Sequence, residues 1–152
     1  MNKLKSFGLL FFAILFFFIL SSCAKHVVDA KRSNKASTTS YKVNGITYYP
    51  VKYKKYKEVG IASWYGGNNQ KRLTASGEVF DKNKLTGAHK FLPIPSLVKV
   101  TNLENGKSIK VRVNDRGPFL DERIIDLSEK SAKLLGFQKN GLAKVKIELI
   151  SY

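Results

Sequence analysis

Hydrophobic and polar residues alternate along most of the chain after residue 58. A two-residue period is typical of strands that bury one face, and Gly, Pro and Asn residues mark the turns between the alternating segments. The pattern predicts strands at Val59–Tyr65, Leu97–Leu103, Ser108–Asn114, Arg123–Leu127 and Leu142–Ile150, with a short strand or turn at Leu85–His89. Asn105-Gly106 joins two of these strands into the clearest predicted hairpin.

One segment late in the chain has the signals of a helix instead. Ser128 provides an N-cap, the helix is predicted to run through Leu135, and Gly136 provides the C-terminal stop. Many short strands with one helix in so small a domain indicate a mainly β fold, and within that class a small closed barrel. Closure would leave no sheet edge exposed to solvent.

The N-terminal residues follow a different pattern. Lys3 and Lys5 precede an apolar run at 7–20, which is shorter than a typical membrane-spanning helix. This pattern is typical of a secretory signal peptide. Leu20–Cys23 resembles the lipobox of bacterial lipoproteins, which predicts cleavage before Cys23 and diacylation of its sulfur. An ordinary signal peptide with an incidental Cys, or an uncleaved anchor helix, is the alternative. The lone Cys of an exported chain favours the lipoprotein.

The chain divides into four predicted segments. They are a signal peptide at 1–22, a disordered tether at 23–40, a hairpin and basic linker at 41–58, and a barrel domain at 59–152. The tether is polar and lacks apolar periodicity, whereas Asn44-Gly45 is a two-residue hairpin signal. Ala24, rather than an Asp, follows Cys23, which by resemblance to enterobacterial sorting favours an outer-membrane lipoprotein facing the periplasm.

The chain is strongly basic, with 27 Lys and Arg residues against 11 Asp and Glu residues and a formal net charge of +16. Such a charge usually indicates a nucleic acid partner. The predicted export argues against nucleic acid and favours anionic polymers of the cell envelope, such as lipid head groups and peptidoglycan. One Cys and two His residues cannot build a disulfide framework or a Cys/His metal cluster. We therefore expect no metal and no cofactor.

The stretch Val111–Phe119 concentrates the candidate chemistry. Its alternating half ends at Asp115, where Gly117 permits a positive φ and Pro118 removes a backbone donor. A carboxylate at the C-terminal end of a strand, held by a stiff turn and flanked by Arg116, is well placed to act on a ligand. An Asp that only accepts hydrogen bonds within the turn fits the same pattern. Both interpretations stay open on these residues alone.

A series of motifs resembles the rare lipoprotein A (RlpA) family, in that family's order. They are Gly60–Gly66, Thr74–Glu78, Ala88–Lys90, Leu92–Ser96, Val98–Leu103, Val113–Phe119 and Arg123–Ser128. The resemblance covers nearly everything from residue 59 to residue 137, and the lipobox agrees with it independently. It implies a six-stranded double-psi β-barrel, the fold also seen in expansins, with one or two short helices.

The resemblance also implies an activity and three site residues. The family cleaves the β-1,4 bond between N-acetylmuramic acid and N-acetylglucosamine in peptidoglycan, preferably in peptide-poor strands, and its site residues fall here on Glu78, His89 and Asp115. Asp115 is assigned as the acid/base that protonates the leaving oxygen and then accepts the C6 hydroxyl proton, which leaves a 1,6-anhydro end. Glu78 would act on Asp115 through the repulsion between two like charges, or would stabilise the oxocarbenium-like transition state. His89 would hydrogen-bond a carboxylate or the sugar.

Further residues of the same motifs receive supporting roles. Those assigned to substrate binding are Trp64, Tyr65, Thr74, Asn114 and Arg116. Trp64 and Tyr65 could stack on sugar rings, but a place in the barrel core fits them equally well. Asp81 and Asp126 are candidate supporting acids, with a structural role favoured for Asp126.

Two other classes of function remain open on the sequence. A wall-binding module of the same fold would bind peptidoglycan without cleaving it, as expansins loosen walls without hydrolysis. A lipoprotein that chiefly scaffolds envelope proteins would not depend on Asp115. The presence of all three polar site residues favours the transglycosylase, although a fold and its groove can persist in proteins that have lost the activity.

Overall fold

The computed structural model describes residues 36–65, 71–120 and 122–152. The predicted signal peptide at 1–22, the lipidation site Cys23 and the tether up to residue 35 lie outside the described residues. Within them, no helix has the length and apolar character needed to cross a membrane.

The described chain begins with a two-stranded antiparallel hairpin. It consists of β1 (Tyr41–Val43) and β2 (Ile46–Tyr48), and Tyr41 is the register partner of Tyr48. Asn44 and Gly45 turn the chain with φ angles of 49° and 82°, the left-handed conformation that a type I′ hairpin turn requires. Before the hairpin, Ser37 exchanges two backbone hydrogen bonds with Ile94. These bonds attach the segment that precedes β1 to the loop between β4 and β5.

Six strands then close into a barrel. They are β3 (Lys57–Tyr65), β4 (Thr86–Ala88), β5 (Ser96–Asn102), β6 (Ser108–Asp115), β7 (Arg123–Ser128) and β8 (Ala143–Ser151). Their order around the barrel is β3-β7-β4-β6-β5-β8. The pairs β3–β7 and β4–β6 are parallel, whereas the other pairs are antiparallel. The mixed six-stranded closure confirms the predicted barrel.

Alternate residues of the strands fill the barrel interior, as expected for a small barrel. The interior valines, isoleucines and leucine with no exposed surface are Val98, Val100, Val111, Val113, Ile125, Leu127, Val145 and Ile147. The short helix α1 (Glu129–Leu135) packs Ala132 and Leu135 onto this core. Ser128 caps it by accepting a hydrogen bond from the Ser131 N–H, and Gly136 ends it at a φ of 83°, at the predicted bounds.

Candidate active site

The centre of the site is the three-residue strand β4, which lies between β6 and β7. Ala88 on β4 is the register partner of Asp115 on β6 and of Asp126 on β7. Because neighbouring strands lie about 4.8 Å apart and the barrel curves from one to the next, the Cα atoms of the two aspartates are less than about 10 Å apart. A Cβ on Gly87 would lie 3.0 Å from the Asp126 carbonyl oxygen, so a larger residue there would push β4 away from β7.

Both aspartates line the same two open clefts. The larger cleft has a volume of about 500 Å³, and the smaller one about 160 Å³. The residues that line both are Arg72, Asp115, Arg116 and Asp126. The larger volume is in the range of sites that bind small ligands. The structure thus pairs Asp115 with Asp126, a residue for which the sequence favoured a structural role.

The Asp115 carboxylate is held at the cleft by three N–H donors. Its Oδ1 accepts from the backbone N–H groups of Ala75 (2.9 Å) and Arg116 (2.8 Å), and its Oδ2 accepts from the Arg72 guanidinium (3.3 Å). Gly117 turns the chain just beyond it at a φ of 124°. The carboxylate therefore accepts turn hydrogen bonds, as one interpretation expected, and also lines a cleft, as the other requires.

Glu78 lies beside β6 and lines neither of these clefts. Its Oε1 accepts from Nε (3.2 Å) and Nη2 (2.7 Å) of Arg112, and its Oε2 accepts from Nδ2 of Asn114 (2.9 Å). Its side chain is 12% exposed. Since Asn114 directly precedes Asp115, these contacts make Glu78 a residue that holds the end of β6 in place.

Thr74 is buried at the start of the turn that supplies Ala75. Its N–H donates to the Glu78 carbonyl oxygen (2.8 Å), and its hydroxyl lies 3.1 Å from that of Ser76. The Ser76 N–H donates in turn to the Asn114 carbonyl oxygen (3.0 Å). Thr74 and Asn114 thus hold the turn against β6, and neither lines the clefts.

His89 follows β4 and is only 1% exposed. Its Nδ1 accepts from the backbone N–H groups of Phe91 (3.1 Å) and Leu92 (3.0 Å), so the ring hydrogen is on Nε2. Nε2 lies 3.3 Å from Oε2 of Glu58 and 3.1 Å from the Tyr56 hydroxyl. Burial lowers the pKa of His89, although the hydrogen bond to Glu58 opposes the shift. The ring is therefore neutral at pH 7 and faces a polar pair outside the clefts.

The Glu58 carboxylate completes this cluster from a half-buried position, since its side chain is 38% exposed. It accepts hydrogen bonds from the Tyr56 hydroxyl and from His89. The hydrogen bond from His89 is the largest cause that lowers the pKa of Glu58, so Glu58 is charged at neutral pH. His89 thereby connects β3, which carries Glu58, to the loop that follows β4.

Arg116 connects the cleft to that loop. Its Nη1 donates to the carbonyl oxygens of Leu92 (2.5 Å) and His89 (3.4 Å), and its guanidinium lies 4.9 Å from the centre of the Tyr41 ring. Burial lowers the pKa of Arg116, although the Tyr41 hydroxyl and Asp115 oppose this. Arg116 is therefore both a lining residue and a fixed structural cation.

Asp126 and Tyr65 bring unpaired polar atoms to the smaller cleft. Oδ2 of Asp126 accepts from Arg123 (3.3 Å), but its Oδ1 is buried without a hydrogen-bond partner among the described residues. Burial raises the pKa of Asp126, and the charge of Arg123 only partly offsets this. The Tyr65 hydroxyl is also buried and has no hydrogen-bond partner within the part of the chain that the structure describes, and its pKa is raised by burial and by the charges of Asp115 and Asp126. Buried polar atoms are rarely left unpaired, so both fit a ligand contact.

Two other candidate residues lie away from the clefts. The Trp64 indole N–H donates to the Gln138 carbonyl oxygen (3.1 Å), and the ring packs against the barrel core. Asp81 accepts a hydrogen bond from the Asn83 N–H (2.9 Å), as in an Asx turn.

The sequence does contain a signal for Asp126. An acidic residue within the apolar run of a buried strand requires a specific reason.

The comparisons with known proteins show which family the chain belongs to. Residues 57–147 match the lytic transglycolase family. A relative from Rickettsia bellii, named endolytic peptidoglycan transglycosylase RlpA, is 46% identical over 95% of this chain and 73% of its own length. The chain belongs to the RlpA family. A relative of the same name from Neisseria meningitidis serogroup B is 50% identical over 86% of this chain, which spans about half (55%) of that relative's length.

Among solved structures, the chain is similar to the Streptomyces papain inhibitor. The sequence identity is 21%, the TM-score is 0.49, and the match covers 62% of this chain and 96% of the inhibitor. The β3–β8 barrel of this RlpA family member lies within the matched family region except for the last residues of β8.

Proposed function

We propose that the protein is a lytic transglycosylase that cleaves the β-1,4 bond between N-acetylmuramic acid and N-acetylglucosamine in peptide-poor peptidoglycan strands, in cell-wall remodelling or daughter-cell separation. Membership of the RlpA family and the names of its relatives support the reaction. The observation that carries the proposal is the placement of Asp115 and Asp126 on either side of Ala88, at one open cleft.

The two carboxyl groups divide the proton transfers of the reaction. Asp126 donates its proton to the glycosidic oxygen as the bond from that oxygen to C1 breaks. The C6 hydroxyl of the muramyl residue attacks C1, and its proton passes to the Asp115 carboxylate as the new bond from O6 to C1 forms. No water is added, and exchange of protons with solvent restores both groups. Asp115 thus shares the acid/base role that the sequence assigned to it alone.

Glu78 and His89 act as positioning residues in this proposal. Glu78 holds Asn114, and therefore the end of β6 that carries Asp115. His89 holds the loop whose carbonyl oxygens bind Arg116. Neither residue lines the clefts of the described structure, so neither needs to touch the sugar.

Product analysis tests the proposed reaction. Soluble protein that begins after Cys23 is incubated with sacculi and with glycan strands stripped of peptides, and the products are identified by mass spectrometry. We expect 1,6-anhydro ends, with faster release from the stripped strands. Reducing ends would identify a hydrolase and overturn the mechanism. Intact glycan that the protein still pulls down would identify a binding module of the expansin type.

We further propose that Cys23 is diacylated and anchors the protein in the outer membrane, facing the periplasm. The lipobox-like sequence Leu20–Cys23 and the Ala24 that follows support this proposal, and two acyl chains are sufficient for stable anchoring. Replacement Cys23→Ser is expected to abolish labelling by palmitate and to release the protein from the membrane fraction, whereas Asp115→Asn retains both. Equal labelling of Cys23→Ser and the parent would refute the lipid anchor.

A further inference from the structure

The β1–β2 hairpin forms part of the wall of the larger cleft. Tyr41 and Val43 line it together with Asp115 and Phe119. The hairpin precedes residue 57, where the match to the lytic transglycolase family begins. A segment outside the matched domain therefore shapes the site that the domain carries.

Aromatic and cationic contacts fix the hairpin in this position. The Tyr41 ring stacks on Tyr48 at 5.1 Å between ring centres and 12° between planes, and it lies beneath the Arg116 guanidinium. The Tyr41 hydroxyl donates to the Lys90 carbonyl oxygen (2.9 Å). Phe119 packs against both tyrosines, 6.2 Å from Tyr41 and 5.6 Å from Tyr48. The hairpin is therefore docked on the turn that follows Asp115.

Phe119 remains open to solvent in spite of these contacts. The residue is 40% exposed, and it lines the cleft just after the turn that begins at Asp115. Val43 lines the cleft from the hairpin side and is half-buried. An exposed aromatic ring beside a polar cleft offers a flat apolar surface, and the C–H face of a pyranose ring is the kind of surface that packs on it.

We propose that the hairpin and the turn that follows Asp115 together form a sugar-binding subsite. In this subsite Phe119 and Val43 contact the apolar face of an N-acetylated pyranose next to the scissile bond. The identity of the sugar rests on the proposed function. Tyr41 and Tyr48 hold Phe119 in place, and the Tyr41 ring does not stack on the sugar, because it already packs against Tyr48 and Arg116. The hairpin thereby extends the glycan groove beyond the barrel.

The chain offers matched controls for both contact residues. Ile46 is the cross-strand partner of Val43, is 59% exposed, and does not line the cleft. Leu120 follows Phe119, is 63% exposed, and does not line the cleft either. Each control removes a similar apolar side chain from the same hairpin or turn without changing the proposed subsite.

Binding is measured in an Asp115→Asn background, so that no turnover is needed. Isothermal titration calorimetry with peptide-free glycan strands compares Val43→Ala and Phe119→Ala with Ile46→Ala and Leu120→Ala. We expect Phe119→Ala to weaken binding about tenfold and Val43→Ala to weaken it less, with both controls unchanged. Phe119→Leu, which keeps apolar bulk in the turn, is expected to lose most of the same affinity.

Two results would overturn the subsite. Affinity that is unchanged in Val43→Ala and Phe119→Ala would show that the hairpin wall does not contact glycan. An equal loss in all four variants, with lowered melting temperatures, would show that the hairpin only stabilises the turn. The assay measures binding and not cleavage, so the subsite and the reaction can fail separately. If Phe119→Ala and Val43→Ala weaken binding as expected but the parent protein releases no anhydro ends, the subsite stands and only the proposed reaction is wrong.

Discussion

Replacement Asp115→Asn is expected to lower the release of anhydro-ended product about 10³-fold, because an amide cannot accept the C6 hydroxyl proton. The Asn side-chain oxygen can still accept from the N–H groups of Ala75 and Arg116, so the turn should keep its shape. The Arg72 side chain is 62% exposed, and an ion pair with so exposed a partner contributes at most about 1 kcal/mol to stability. Initial rates by mass spectrometry and melting curves by circular dichroism measure the two effects.

Asp126→Asn tests whether Asp126 donates the proton while Asp115 accepts one. Since burial raises the pKa of Asp126, its proton-donating form persists to higher pH than that of an ordinary Asp. The rate of the parent should fall as the pH rises through that pKa, because only the protonated carboxyl can donate. Asp126→Asn is expected to lose this part of the pH profile and about 10²-fold in rate. A profile and rate like those of the parent would exclude Asp126 as the acid.

His89→Ala is expected to have the largest effect on stability, a loss of about 3 kcal/mol in the free energy of unfolding. The Phe91 and Leu92 N–H groups would lose their acceptor, and Glu58 would lose a hydrogen bond. The ring also leaves a cavity, because it is 1% exposed. Urea denaturation measures the change, and activity should fall with the folded fraction and with the loss of position of the loop that binds Arg116.

His89→Asn separates this structural role from a catalytic one. An Asn oxygen can accept from N–H groups two and three residues further along, as in an Asx turn, so it can replace Nδ1 toward Phe91 and Leu92. We expect His89→Asn to recover part of the stability and most of the activity that His89→Ala loses. Two variants that are both stable and equally inactive would instead mean that the imidazole acts on the sugar.

The buried imidazole also makes stability depend on pH. Its pKa in the folded protein is lowered by burial, below the unfolded value of about 6.5. The unfolded chain therefore binds more protons than the folded chain in acid, so stability is full above about pH 6.5 and falls as the pH drops below it. Glu58 opposes this loss, whereas Arg116 and Lys90 reinforce it. Unfolding measured between neutral and acidic pH should show this slope in the parent and a weaker one in His89→Asn.

The strands and the helix could be predicted because they depend on local signals. Alternation between Leu97 and Leu103 or between Leu142 and Ile150 needs no knowledge of the partner strand, and Ser128 and Gly136 mark the helix ends by their own conformations. The structure changes these bounds by only one or two residues. Barrel closure followed from the number of short strands in one small domain.

The arrangement of the site could not be predicted in the same way. Asp115 and Asp126 share a cleft only because β4 inserts between β6 and β7, and this register links distant parts of the chain. The position of His89 depends on Glu58, a residue of another strand, and on two N–H groups that no periodicity identifies. The contact between Tyr41 and Phe119 is equally non-local.

The short strand β4 also determines how the protein can respond to its substrate. All three of its residues are buried, and it is hydrogen-bonded on both sides within a closed barrel. Amides in such a strand exchange with solvent only through global unfolding rather than through local opening. The spacing of the backbone at Asp115 and Asp126 is then as persistent as the fold itself. When glycan binds, we therefore expect the cleft side chains and the glycan to adjust to one another, since β4 keeps the backbones of β6 and β7 at a fixed spacing.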